Sequence, residues 1–169
     1  MFTDFFPFTK INHQRRNRED HSYVEHNYTF KGKMGKRYVV IAEQYNYALF
    51  AIKFCLCEHK FYPDRFNRLT NFNECSRVIT TVGQIIKEVS EVNPIASFVF
   101  MGSELPGEEK TNTKRFKLYE RIIGNIVSPV KFEHFTSKSK SAYLLLNRNN
   151  PEPDLLNKVS GLLEQIFVF

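Results

Sequence analysis

Five cations gather on one short stretch of this chain, Lys110, Lys114, Arg115, Lys117 and Arg121. Lys114, Lys117 and Arg121 stand at i, i+3 and i+7, a spacing that puts them on one face of a helix, away from the large residues Phe116, Tyr119, Ile122, Ile123 and Ile126. Such a face attracts an anionic partner, either an acidic protein or nucleic acid, and it crowds positive charge against a helix N-terminus whose dipole disfavours it. Glu108, Glu109 and Glu120 lie in the same stretch and offer internal relief. The net charge of +6 and pI of 9.2 point to an acidic partner too, although a solvated face of mixed charge serves solubility equally well.

Other reactive residue types carry less. Cys55-x-Cys57-x-His59 would set three possible ligands on one side of an extended chain, but no second pair with metal spacing follows, so no metal site is expected. Arg15, Arg16 and Arg18 form a brief cluster mixed with Glu19 and Asp20 and without interleaved aromatics, which reads as a solvated loop rather than a nucleic-acid arm. His134, between Phe132 and Phe135, reads as structural. There is no nucleophile elbow, Walker loop or paired-carboxylate site.

These residues must be positioned by a small number of elements. A chain of 169 residues with 42% hydrophobic content can bury one good core, and 15% aromatics argue against disorder. A single domain over residues 1–169 is expected, with an N-terminal arm (1–22) packing on a core (23–147) and a C-terminal helix (154–169). Three cysteines leave one unpaired under any disulfide scheme and no secretory leader is evident, which predicts a reducing, cytoplasmic setting. No apolar run reaches membrane length, so no membrane partner is expected.

Alternation at Val24, His26, Tyr28 and Phe30, glycines at 32 and 35, and the β-rich run 37–42 predict a hairpin. Residues 48–57 put Phe50, Ile52, Phe54 and Leu56 on one face and Leu49, Ala51, Cys55 and Cys57 on the other, the pattern of a central strand covered on both sides. Residues 58–70 are irregular, basic and aromatic. Asn71 to Glu74 resembles a capping box opening a helix that ends at Asn93-Pro94. The apolar run 95–101 is then a strand parallel to 48–57, since a helix makes the crossover between them. A polar loop, a helix over 112–126, two strands at 131–136 and 141–147, and a helix capped by Asp154 complete the order. The fold class predicted is α+β, a mixed, mainly antiparallel sheet: a three-strand meander, helix-strand-helix, a strand pair and a C-terminal helix. The apolar end of that helix, Ile166 to Phe169, either packs down or meets a second copy of the chain.

This order resembles the larger part of the GNAT acetyltransferase fold. Asn112-Thr-Lys-Arg-Phe-Lys-Leu118-Tyr119-Glu120-Arg-Ile-Ile-Gly124 is similar to that family's Asn-x-x-Ala-x-x-Leu-Tyr-Glu-Lys-x-Gly-Phe pattern. Asn112, Leu118, Tyr119 and Glu120 match in register, whereas Arg115 replaces Ala, Gly124 falls one position late and Asn125 stands in place of Phe. The resemblance implies that Asn112 contacts or positions the pantetheine arm of acetyl-CoA and that Tyr119 protonates the leaving thiolate. It also implies a glycine-rich turn opening the first core helix to hold the pyrophosphate. Residues 70–83 contain no such turn, which leaves Arg65, Arg68 or Arg77 as substitutes or the cofactor site lost. The Asn-Thr-Lys-Arg-Phe and Ser-Ala-Tyr-Leu-Leu-Leu-Asn phrases also resemble short bacterial proteins of unknown function.

Three functions follow as expectations. The first is a non-catalytic binding or regulatory protein on a degenerate GNAT-like scaffold, with no cofactor. The second is an acyl-CoA-dependent N-acyltransferase with an atypical pyrophosphate site, using Tyr119, Asn112 and Arg77. The third is a nucleic-acid-contacting protein using the basic helix face, Lys110, Lys114, Lys117 and Arg121, together with Arg15 to Arg18.

Overall fold

The computed structural model describes residues 4–68 and 73–167. It is an α+β protein with one seven-stranded mixed sheet and three helices. The strands are β1 (Phe8–Asn17), β2 (Ser22–Lys31), β3 (Arg37–Gln44), β4 (Leu49–Leu56), β5 (Ser97–Met101), β6 (Phe132–Ser137) and β7 (Ala142–Asn147). The helices are α1 (Cys75–Val92), α2 (Lys114–Ile126) and α3 (Leu155–Ile166). The sheet order is β1-β2-β3-β4-β5-β7-β6.

The meander has four strands, not three. β1 occupies the segment read as an arm and a solvated loop, pairing antiparallel with β2 at His13↔His26 and Arg15↔Val24. It carries no apolar alternation because it is an edge strand exposed over nearly its whole length, so hydrophobic periodicity has nothing to mark it. Arg16 instead pairs with Glu25 at 2.8 Å and Arg18 lies over the Tyr23 ring. Ahead of the strand, Phe6 is buried, donates its N–H to Thr81 at 2.9 Å and stacks on Phe30; Phe2 lies outside the described residues.

β4 and β5 are parallel neighbours as expected, joined through α1, and their pairing runs from Leu49↔Ser97 to Ile52↔Phe100. Beyond Ile52, β4 continues against β3 to Leu56 while β5 follows β7 to Met101. The two C-terminal ends therefore part. α1 and α2 pack together on one face, over Phe50, Ile52, Leu56, Phe98 and Phe100, which are all buried. α3 covers Leu49, Ala51 and Val99 on the other face, and Phe66 packs beside Cys55 there. The strand ends at Leu56, and Cys57–His59 turns into a short 3-10 helix, so the Cys55, Cys57, His59 alternation is not realised.

Helix starts differ from expectation. Asn71 lies outside the described residues, and α1 is preceded by Glu74, whose side chain makes no cap bond to the helix. α2 begins at Lys114, with Thr113 accepting the Phe116 N–H at 3.1 Å, because Asn112 adopts φ 51° and cannot join the helix. Asp154 does precede α3 but in the left-handed region; its carboxylate takes a bond from the Asn157 side chain instead of capping a backbone N–H.

Candidate functional site

The opening between β4 and β5 is the first place to build a site, since crevices form where parallel strands part at their C-terminal ends. A cavity of about 240 Å³ lies there. Ile52, Phe54 and Tyr119 line it from the α2 side of the sheet, and Lys53, Met101, Phe66 and Phe167 from the α3 side, with Ser103 and Arg115 at the end of the gap. Tyr119 is buried, with its ring 6.3 Å from Phe54 and 5.7 Å from Phe100. Burial pushes its phenol well above the ordinary range, with Arg115 pulling weakly the other way, so the group is a neutral O–H near neutral pH. The far side of the gap is closed by the chain itself: Lys53 Nζ pairs with buried Glu43 at 2.8 Å and lies 5.4 Å from the Phe167 ring and 5.9 Å from that of Phe66.

Asn112 does not line this gap. It precedes α2 beside the β6–β7 turn, donating its N–H to Lys138 O at 2.7 Å, and its Oδ1 is buried with no hydrogen-bond partner among the described residues. Arg77 and Tyr119 are likewise separated. Arg77 lines a second cavity, of about 490 Å³, at the start of α1, together with Arg121, Lys33, Cys75 and Glu74. Arg77 is held there by Asp4 at 3.0 Å and lies over the Phe6 ring.

Glu74 is the residue that sequence reasoning passed over. It is 7% exposed, and its carboxylate accepts the Lys33 N–H at 2.8 Å and the Tyr38 hydroxyl at 2.9 Å. Gly32 is the residue that lets it come so close, since a Cβ there would collide with Glu74 Oε1 and the Tyr38 ring. A negative charge is thus built into the start of the first core helix. The only sequence signal was the acid of the presumed capping box, which says nothing of a carboxylate turned toward the β2–β3 hairpin.

The start of α2 is satisfied internally as well. Glu108 accepts the Lys114 N–H at 2.8 Å and the Leu105 N–H at 2.9 Å, and these two bonds hold its carboxyl below the usual carboxylate range. Thr113 Oγ1 donates to Gly102 O at 2.6 Å, and Ser141 Oγ accepts the Thr113 N–H at 3.1 Å while donating to Lys110 O. The anion expected at this helix N-terminus is therefore Glu108. Further along, Lys114, Lys117 and Arg121 are exposed, as is Lys110, and among the described residues none of the four makes an ion pair.

Arg115 departs from its neighbours. It turns inward to the gap and donates to Arg68 O at 2.6 Å, tying α2 to the basic loop after β4. In that loop Phe61 is 87% exposed, with Lys60 Nζ 4.8 Å from its ring, and Arg68 stacks on Tyr62 at 4.1 Å. His134 bonds through Nδ1 to Tyr143 Oη at 2.7 Å; burial first, then Arg148, lowers its pKa. No helix among the described residues is long and apolar enough to cross a membrane, and no group of three or more metal-ligating side chains occurs among them. Comparison of the chain with protein-family models, with curated proteins and with solved structures returned no match.

Proposed function

We propose that this protein works by binding an acidic protein partner through the outer face of α2, on a scaffold of degenerate GNAT-like architecture that no longer uses acetyl-CoA. The observation that carries the non-catalytic half is Glu74. In the family that the chain resembles, the pyrophosphate is cradled by free backbone N–H groups in a glycine-rich turn at the start of the first core helix; here the sequence has no such turn, and a buried carboxylate bonded to the β2–β3 hairpin lies just before the helix. Glu74, together with Asp4 paired to Arg77, offsets most of the positive charge of Lys33, Arg77 and Arg121 on the pocket wall, which weakens the pocket's attraction for a pyrophosphate. The order of helix, strand, helix and strand pair after the meander is the one on which the acetyltransferase resemblance rests, and Tyr119 lines the gap where β4 and β5 part; these support a common scaffold.

The partner half rests on Lys110, Lys114, Lys117 and Arg121, four exposed cations clustered along one helix and the loop before it, none of which makes an ion pair among the described residues. A second reading, single-stranded nucleic acid, is favoured by the exposed Phe61 and the cations beside it. The triple change Lys114→Ser, Lys117→Ser, Arg121→Ser separates the outcomes. Its stability should stay within about 0.5 kcal/mol of wild type, because all three residues are exposed and none makes an ion pair among the described residues. Binding of a polyglutamate-rich peptide should be lost, and wild-type affinity should fall steeply between two salt concentrations. Equal affinity of wild type and variant would remove α2 as the interface. Tight binding of single-stranded RNA that depends on Phe61 would move the reading to nucleic acid.

A further inference from the structure

A third cavity, of about 300 Å³, opens where α1 outruns α2. The two helices run side by side, and α2 ends at Ile126, whose Cδ1 packs onto Gly83 so closely that no side chain fits there. α1 continues to Val92, about 13 Å further. Over that length no helix of the described residues faces α1, and the opposite wall is made by Val127, Ser128, Lys131 and by Phe132 at the start of β6.

Ser90 lies on this stretch, two turns beyond Gly83 on the same face of the helix. It is 5% exposed, and its Oγ has no hydrogen-bond partner among the described residues. Earlier in the same helix the buried hydroxyls of Thr80 and Thr81 each donate at 2.8 Å to the carbonyl four residues before; Ser90 does not. A buried hydroxyl left unpaired costs stability, and beside the apolar side chains of Ile86, Ile126, Val127 and Phe132 it points to a ligand that completes it. Charge narrows the class. Lys87 and Lys131 contribute two positive charges, while Glu91 and the C-terminal ends of α1 and α2, each worth about half a negative charge, oppose them. The sum is near zero.

We propose that this cleft binds a small, uncharged, mainly apolar molecule bearing one hydroxyl or carbonyl group, its body against Ile86, Ile126 and Phe132 and its polar atom bonded to Ser90 Oγ. The site is independent of the α2 outer face and of the β4–β5 gap. Phenol and toluene, which match in size but differ in the hydroxyl, are the probes. Titrated into the full-length protein and followed by amide chemical shifts, phenol should give saturable changes at Ile86, Ser90 and Phe132, with benzoate weaker. Ser90→Ala should weaken phenol about tenfold and leave toluene unchanged, the loss of one net hydrogen bond. It should also melt no lower than wild type, because alanine favours the helix and removes an unpaired hydroxyl. Absence of saturable shifts at this cleft, equal phenol affinity in wild type and Ser90→Ala, or a lowered melting temperature, which would mean that the hydroxyl is already partnered, would each overturn the assignment.

Discussion

Valine at Gly102 should destabilise the protein by roughly 3 kcal/mol or more, the largest effect expected of any glycine replacement in the chain. A Cβ at this position would stand 2.6 Å from the backbone nitrogen of Phe116, 2.7 Å from its Cβ and 2.7 Å from Thr113 Oγ1. Backbone cannot yield as a flexible side chain does. Relief requires the start of α2 to move off the end of β5, which breaks the Thr113 bond to Gly102 O and the Ser141 bond to Thr113 N–H, and lifts fully buried Phe116 from the core. Chemical denaturation of Gly102→Val beside Gly107→Ala gives the comparison. Gly107 has φ +80° but open space around its Cβ position, so alanine there pays only left-handed strain, about 1 to 2 kcal/mol. A smaller loss at Gly102 than at Gly107 would contradict the packing described at the β5–α2 junction.

Alanine at Glu74 should cost about 3 kcal/mol. The substitution removes the shared acceptor of the Lys33 N–H and the Tyr38 hydroxyl, and hydrogen bonds to an ionised group contribute about 1.5 to 3 kcal/mol each. Glutamine keeps an acceptor oxygen and should recover more than half of the loss. A second consequence bears on function: with the carboxylate gone, Lys33, Arg77 and Arg121 around the 490 Å³ cavity face no buried negative charge, and the variant should gain sulfate-dependent thermal stabilisation that wild type lacks. Equal response to sulfate in both proteins would mean that Glu74 does not exclude anions from the start of α1.

Much of this architecture was legible because it rests on periodicity. Residues 48–57 show two apolar faces and are the central strand β4; the stripes Val78, Val82, Ile85, Ile86, Val89 and Phe116, Tyr119, Ile122, Ile123 are the buried faces of α1 and α2. The parallel β4–β5 pair followed from the intervening helix alone. β1 escaped notice because an edge strand with both faces in water has no reason to alternate. The candidate sites were legible only in part, for a related reason. Side-chain type locates Tyr119, Arg77 and Lys114, but which of them meet depends on chain path: Tyr119 faces the β4–β5 gap, Arg77 and Arg121 share the cavity at α1, and Asn112 joins neither. Glu74 was legible as an acid near a helix start, whereas its partners come from a hairpin some forty residues earlier. Glu108 acts locally, and its proximity in sequence to Lys114 made that relief foreseeable.

The measurement that bears most directly on a scaffold without its cofactor seat is a thermal-shift titration of the wild-type protein with millimolar acetyl-CoA. A ligand present at 100 times its dissociation constant adds about 2.7 kcal/mol, or roughly 5 to 10 °C for a chain of this size. No shift is expected. A clear, saturable shift that disappears in folded Tyr119→Phe and Asn112→Ala variants would contradict the non-catalytic reading and establish the acyltransferase reading in its place.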